Sequence, residues 1–159
     1  MSKMITGKMR KNIALIISVF LLSGSVYAQD VASKQKPKAY IVSNAHLDTQ
    51  WNWDIQTTIK EYVWNTVNQN LMLLKQYPNY VFNFEGGVKY AWIKEYFPIQ
   101  YEEMKKYIKT GRWHVSGASW DATDVLVPSI ESSLRNIMLG QDYYRKEFGI
   151  ESTDIFLPD

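Results

Sequence analysis

Short runs rich in β-branched and aromatic residues alternate along this chain with longer runs whose apolar residues recur every three or four positions. The first pattern suits strands, and the second suits one face of a helix. Residues 39–44, Ala39-Tyr40-Ile41-Val42-Ser43-Asn44, read as a buried strand. A helix is expected over 54–77, with Ile55, Ile59, Val63, Val67, Leu71 and Leu74 on its inner face, Asp54 as N-cap and Pro78 beyond its end. Residues 80–84 form an aromatic strand, broken by Glu85-Gly86-Gly87. A helix over 88–97 turns Val88, Ala91, Trp92 and Tyr96 to one side, and Pro98 stops it. Another helix covers 101–110, with Gly111 just past its end. A brief strand at 113–116 leads to a loop over 117–129. Ser129 then caps a helix over 130–148, whose shared face is Ile130, Leu134, Ile137, Gln141, Tyr144 and Phe148 and whose end is closed by Gly149. A last strand begins at 154–157. This order is that of an α/β domain with parallel strands alternating with helices. A final strand without a covering helix leads to the expectation that these residues are the front portion of a longer protein.

The first 28 residues stand apart from this grammar. Lys3, Lys8, Arg10 and Lys11 precede an apolar run over 13–22, and Val26-Tyr27-Ala28 makes a small-residue cleavage site. That is the pattern of a signal peptide, and the apolar run is short of the ~20 residues a spanning helix needs. The expected location is therefore periplasmic or extracellular, without stable membrane insertion. Residues 29–38 read as a polar leader, and 39–159 as the folded part. The leading segment carries four positive charges and no negative ones, which takes the net charge from +2 for the whole chain to −2 without it. The basic character of the whole chain thus supports neither nucleic-acid nor anionic-membrane binding. No cysteine is present, so an exported protein of this sequence has no disulfides and must rely on a core. The 6 Trp, 11 Tyr and 6 Phe are mostly core material, and their excess is a mild hint of a carbohydrate-handling surface.

Two stretches carry chemistry. The first is Ala45-His46-Leu47-Asp48-Thr49-Gln50-Trp51-Asn52-Trp53, directly after the first strand. Extended residues i and i+2 face one way, so His46 and Asp48 could aim an imidazole and a carboxylate at one point, half of a metal site. The second is the 117–129 loop, at the carboxyl end of a strand, where α/β folds gather functional groups. It holds Asp121 and Asp124 beside Trp120, with Glu131 in the first turn of the next helix. Glu131 suits the helix dipole, and Asp121 could close an Asx turn. Asp124 is harder to assign a structural role, because apolar Val125-Leu126-Val127 follows it and it is not placed as a cap.

Taken together, His46-x-Asp48-x-x-Trp51, Gly111-Arg112-Trp113, Gly117-x-x-Trp120-x-x-x-Asp124, Pro128-Ser129-x-Glu131-Ser132 with Arg135, and Leu157-Pro158-Asp159 resemble the N-terminal part of the catalytic domain of glycoside hydrolase family 38, the zinc-dependent α-mannosidases. The resemblance spans about 40–159 and implies the front portion of an irregular (β/α) barrel. It implies His46 and Asp48 as zinc ligands, Asp124 as nucleophile and third ligand, and Trp51 as the platform for a bound mannose. It also implies retaining hydrolysis of terminal α-mannosyl residues on glycans. The family's fourth ligand is a histidine far downstream, a role not carried onto His114, and its acid/base carboxylate lies outside the matched motifs. These 159 residues alone are therefore expected to be inactive. A non-catalytic glycan-binding segment, or another zinc-dependent carbohydrate hydrolase such as a polysaccharide deacetylase, are the other readings. Expression in a secreting host should yield a mature chain beginning at Gln29; an intact mass that retains the first 28 residues would contradict the signal peptide.

Overall fold

The computed structural model describes residues 38–157, so the signal peptide, most of the polar leader and Pro158-Asp159 lie outside the described residues. The chain divides into Met1–Tyr40, of which residues 38–40 are exposed coil, and Ile41–Asp159, which holds all the elements below. Among the described residues three strands form one parallel sheet in the order β1 (Ser43–Asn44), β2 (Phe82–Glu85), β3 (Trp113–Ser116). Ser43 pairs with Phe82, and Phe82 to Glu85 pair with Trp113 to Ser116. The domain is α/β, with helices between successive parallel strands as the alternation predicts. The first strand is shorter than the expected 39–44. Tyr40, Ile41 and Val42 are exposed, because β2 offers β1 only two pairing residues.

Helix α1 joins β1 to β2 in three parts: an α-helical turn Ile55–Thr57, a π-helical stretch Thr58–Val63 and an α-helix Trp64–Gln76. Asp54 is its N-cap, its carboxylate accepting from the Thr57 amide at 2.8 Å. Val63, Val67, Leu71 and Leu74 are buried as their spacing predicts, while Ile55 is exposed. Arg112 ties down the far end. Its guanidinium donates to the carbonyls of Leu74, Tyr77 and Tyr80 and lies over the Tyr107 ring, 5.4 Å from its centroid. Helix-end carbonyls without an internal partner are thus satisfied by a side chain that immediately precedes β3.

Helix α2 (Gly87–Tyr96) buries Lys89, Tyr90 and Ile93, not the Val88, Ala91, Trp92 and Tyr96 face expected from hydrophobicity. The reason is polar: Lys89 pairs with Glu85, and both are buried. The helix ends before Pro98 as expected, with Phe97 out of helical conformation, and Pro98 also opens α3 (Pro98–Lys109), where its missing N–H costs nothing. Helix α4 (Ile130–Phe148) has the expected ends. The Ser129 hydroxyl accepts from the Ser132 amide, and Gly149 closes the helix at φ +69°. Its inner face agrees with the expectation in the second half, where Tyr144 is buried and Phe148 packs on the core, and differs in the first, where Ile130 and Leu134 are exposed; Gly140 is buried as well. The expected strand at 154–157 is not formed; residues 151–157 are irregular, and Ala118 N–H donates to Asp154 O.

The core lies between the sheet and the helices. Phe82 and Trp113 meet edge to face at 4.8 Å, and Phe84 packs on Tyr90. The Tyr90 hydroxyl is satisfied, donating to Phe84 O at 2.7 Å and accepting from Trp113 Nε1 at 3.0 Å, whereas the buried hydroxyls of Ser116 and Tyr143 find no hydrogen-bond partner. Glu147 of α4 accepts from Lys94 of α2 and Tyr101 of α3, and the Lys94 hydrogen bond holds its carboxyl below the usual range. The closest approach is at Gly140, where an added Cβ would stand 2.4 Å from Ala118 O and Ser119 C. No side-chain rotation relieves a clash with backbone. Gly140→Ala should therefore cost about 3 kcal/mol or more; an unchanged thermal midpoint would show that α4 does not sit this close.

Candidate functional site

The loop after β1 keeps an extended alternation although it is not paired. Leu47 is buried in the core and Ala45 packs against it, so His46 and Asp48 turn the other way. His46 Nε2 lies 3.0 Å from Asp48 Oδ1, with about a third of each side chain exposed. A proton bridges such a pair, and a metal ion would take the proton's place. Trp51 is largely exposed, whereas Trp53 stacks at a tilt on Tyr62 at 4.7 Å and donates to Thr58. Thr58 opens the π-helical stretch of α1 and donates back to Thr49 O at 2.8 Å, so α1 fixes the shape of this loop.

The loop after β3 is held from three directions. Gly117 N–H donates to the Asp154 carboxylate at 2.8 Å. Ser119 O accepts from Gly87 N and from the Tyr144 hydroxyl, and Trp120 O accepts from Val88 N. Trp120 N donates to Asn136 O at 2.8 Å. Asn136 then grips Asp121 at two points, accepting from its N–H at 2.9 Å and donating to its carbonyl at 3.0 Å. The Asp121 carboxylate accepts from Ala122 N–H and, across the end of the sheet, from the Thr49 hydroxyl at 2.9 Å. The two stretches singled out in the sequence are thus joined directly.

Asp124 is exposed, three residues further on. Its Oδ1 accepts from Leu126 N at 2.7 Å and Val127 N at 3.2 Å, so it closes a turn in the apolar run where no such role is evident from position alone. Hollows of about 250 and 350 Å³ flank it, the first lined by Asp121, Pro128, Ser132 and Asn136, the second by Val125, Leu126 and Leu157. Glu131 pairs with Arg135 on the exposed surface of α4. His114 is exposed in β3, opposite Asn83.

Imidazole nitrogen and carboxylate oxygen are suitable zinc donors. Among the described residues, however, no three histidine, aspartate or glutamate side chains come together to hold a metal ion. His46 and Asp48 form a pair, and Asp124 is not gathered with them. The donor set fits zinc only in part.

Three features of this end of the molecule escape a linear reading. Thr49 and Asn136 act through partners distant in sequence. Glu85 belongs to β2 instead of breaking it, and its i+4 spacing to Lys89 was the available signal. The pair sits at the carboxyl end of the central strand, and a Cβ on Gly117 would stand 3.2 Å from that of Glu85.

Residues 36–159 match the profile described as Glycosyl hydrolases family 38 N-terminal domain. The chain is 32% identical to Alpha-mannosidase G of Dictyostelium discoideum over 80% of its length, and 30% identical to Alpha-mannosidase of Saccharomyces cerevisiae over 88%. It covers 12% and 13% of those two proteins. The crystal structure of an alpha-mannosidase from Enterococcus faecalis V583 superposes with a TM-score of 0.63 at 25% identity, over 70% of this chain and 12% of that one. Removal of one buried charge tests the sheet end without touching the exposed residues. Lys89→Met should cost about 3–5 kcal/mol, and Glu85→Leu added to it should recover most of the loss. Equal stability of the single variant and wild type would mean that the pair is not buried.

Proposed function

The chain belongs to glycosyl hydrolase family 38, and from that membership we propose that it supplies the front part of a retaining, zinc-dependent α-mannosidase acting on terminal α-mannosyl residues of glycans. The observation that carries this reading is the Thr49–Asp121 hydrogen bond, which brings the loop of His46 and Asp48 to the loop of Asp124 at the carboxyl end of a parallel sheet. Substrates of α/β folds bind at that end.

Each residue has a role consistent with its surroundings. Trp51 offers an exposed indole face to the apolar C–H side of a sugar ring. Asp124 is the nucleophile: one carboxylate oxygen attacks the anomeric carbon, the glycosidic C–O bond breaks, and a covalent mannosyl-enzyme forms. A second carboxylic acid protonates the departing oxygen, then takes a proton from the water that releases mannose. That acid is not assigned to Asp121, whose oxygens are engaged by Ala122 and Thr49. The two N–H groups of Leu126 and Val127 orient the Asp124 carboxylate. His46 and Asp48 would supply two of the ligands to zinc, which when bound would polarise and orient the sugar. Two donors do not close a zinc site, and the family resemblance gives the third place to Asp124 and the fourth to a histidine outside the matched motifs. Export to the periplasm or the extracellular space fits the leading segment and a glycan substrate.

A glycan-binding role without catalysis is the second reading, favoured by the turn in which Asp124 is engaged with its own loop. Hydrolysis of an aryl α-mannoside by the full-length protein separates the two. Asp124→Ala should lower kcat by at least about a thousandfold with the fold intact. His46→Ala should lower the zinc content of the purified protein. Unchanged turnover in the first variant would remove the nucleophile, and full zinc occupancy in the second would remove the ligand.

A further inference from the structure

We infer that Asp121 is a positioning residue: through Thr49 it ties the loop bearing Asp124 to the loop bearing His46 and Asp48, and so sets the width of the candidate site. The role in turnover rests on the mannosidase reading; the tie itself does not.

The sheet alone does not bring these loops together. Strands β1 and β3 are separated by β2, which puts their ends roughly 10 Å apart at the usual strand spacing. The Thr49 hydroxyl donates to Asp121 Oδ2 at 2.9 Å and closes that gap. Both ends of the bond are anchored. On one side Thr49 O accepts from Thr58, which is fully buried and also accepts from Trp53. On the other side the Asn136 amide holds both the N–H and the carbonyl of Asp121, and Ala122 N–H occupies Oδ1. The result is a continuous path from α1 through both loops to α4. Asp124 is the third residue beyond Asp121, so its place relative to His46 and Asp48 is inherited from this tie.

The residue type fits the task. A carboxylate accepts from two donors arriving from different directions, and its hydrogen bond to a hydroxyl is charge-assisted. An asparagine could still accept from Ala122 and donate to Thr49, because a threonine hydroxyl is also an acceptor. An alanine could do neither. A contact that serves only local turn stability would leave the distant loop unaffected by its loss.

The test uses the full-length protein and the variants Asp121→Ala, Asp121→Asn, Thr49→Val, Thr49→Ser and the Thr49→Val/Asp121→Ala double. Amide exchange should rise about tenfold over residues 45–53 in Asp121→Ala and over 121–127 in Thr49→Val, each change lying in the loop that was not altered. With an aryl α-mannoside, kcat should fall about 10–100-fold in both while KM stays within about twofold, as expected for a misplaced reacting group. Asp121→Asn and Thr49→Ser should remain within about threefold of wild type, and the double variant should be no worse than the worse single one. Exchange confined to the altered loop, additive losses, or Asp121→Asn as damaging as Asp121→Ala would overturn the inference. Thr49→Val carries the same test should Asp121→Ala fail to fold. A wild type that cleaves no α-mannoside defeats the proposed function, while the exchange measurements still decide whether the tie exists.

Discussion

Helix α4 meets the chain leaving β3 without a side chain between them, and the carboxyl end of the sheet is arranged around that contact. Gly140 lies so close to Ala118, Ser119 and Trp120 that a methyl group would collide with backbone. The approach lets Asn136 and Tyr144 reach the same segment, one by its amide and the other by its hydroxyl. The first turn of α2 donates two further backbone N–H groups to Ser119 and Trp120. The exit from β3 is thereby fixed by two helices. A loop fixed in this way can present Asp121 to Thr49 and hold Asp124 next to two hollows.

The same end of the sheet holds a buried charge pair. Glu85 ends the central strand and Lys89 lies one turn into α2, both almost free of solvent. Taking two charges from water costs several kcal/mol per ion before their attraction offsets it. The Lys89 ammonium also lies 5.6 Å from the centroid of the Phe84 ring, which adds a cation–π contribution. Such a pair adds little net stability over apolar residues of the same size. It does specify which face of α2 turns inward, and that in turn sets where Gly87 and Val88 meet the 119–120 backbone.

Features set by adjacent residues were legible in the chain. The 130–148 helix stands where expected because Ser129 and Gly149 mark its ends by local backbone chemistry, and the 113–116 strand follows the turn that Gly111 makes after α3. His46 and Asp48 are near each other because extended chain puts i and i+2 on one side. What depended on distant partners was not legible. Tyr144 lies on the inner face of α4 as its spacing indicates, but the contact with the loop after β3 is made by Gly140 and Asn136, and Ile130 and Leu134, placed on the same face by hydrophobic spacing, are exposed. Residues 40–42 are apolar enough for a strand but find no pairing partner. Residues 154–157 resemble a strand in composition, yet remain irregular beside Ala118. The Thr49–Asp121 bond crosses 72 residues, and neither residue type announces it.

The proposed function makes His46, Asp48 and Asp124 parts of one site, although among the described residues the three do not converge. Asp124 is engaged with Leu126 and Val127 in a turn of four residues, 124–127. The most direct measurement is a crystal structure of the zinc-loaded full-length protein with anomalous data collected at the zinc edge. The account predicts one strong peak within bonding distance of His46 Nε2 and Asp48, with an Asp124 carboxylate oxygen in the same coordination sphere. A peak elsewhere, or zinc on the His46–Asp48 pair with Asp124 still turned to its own loop, would contradict it.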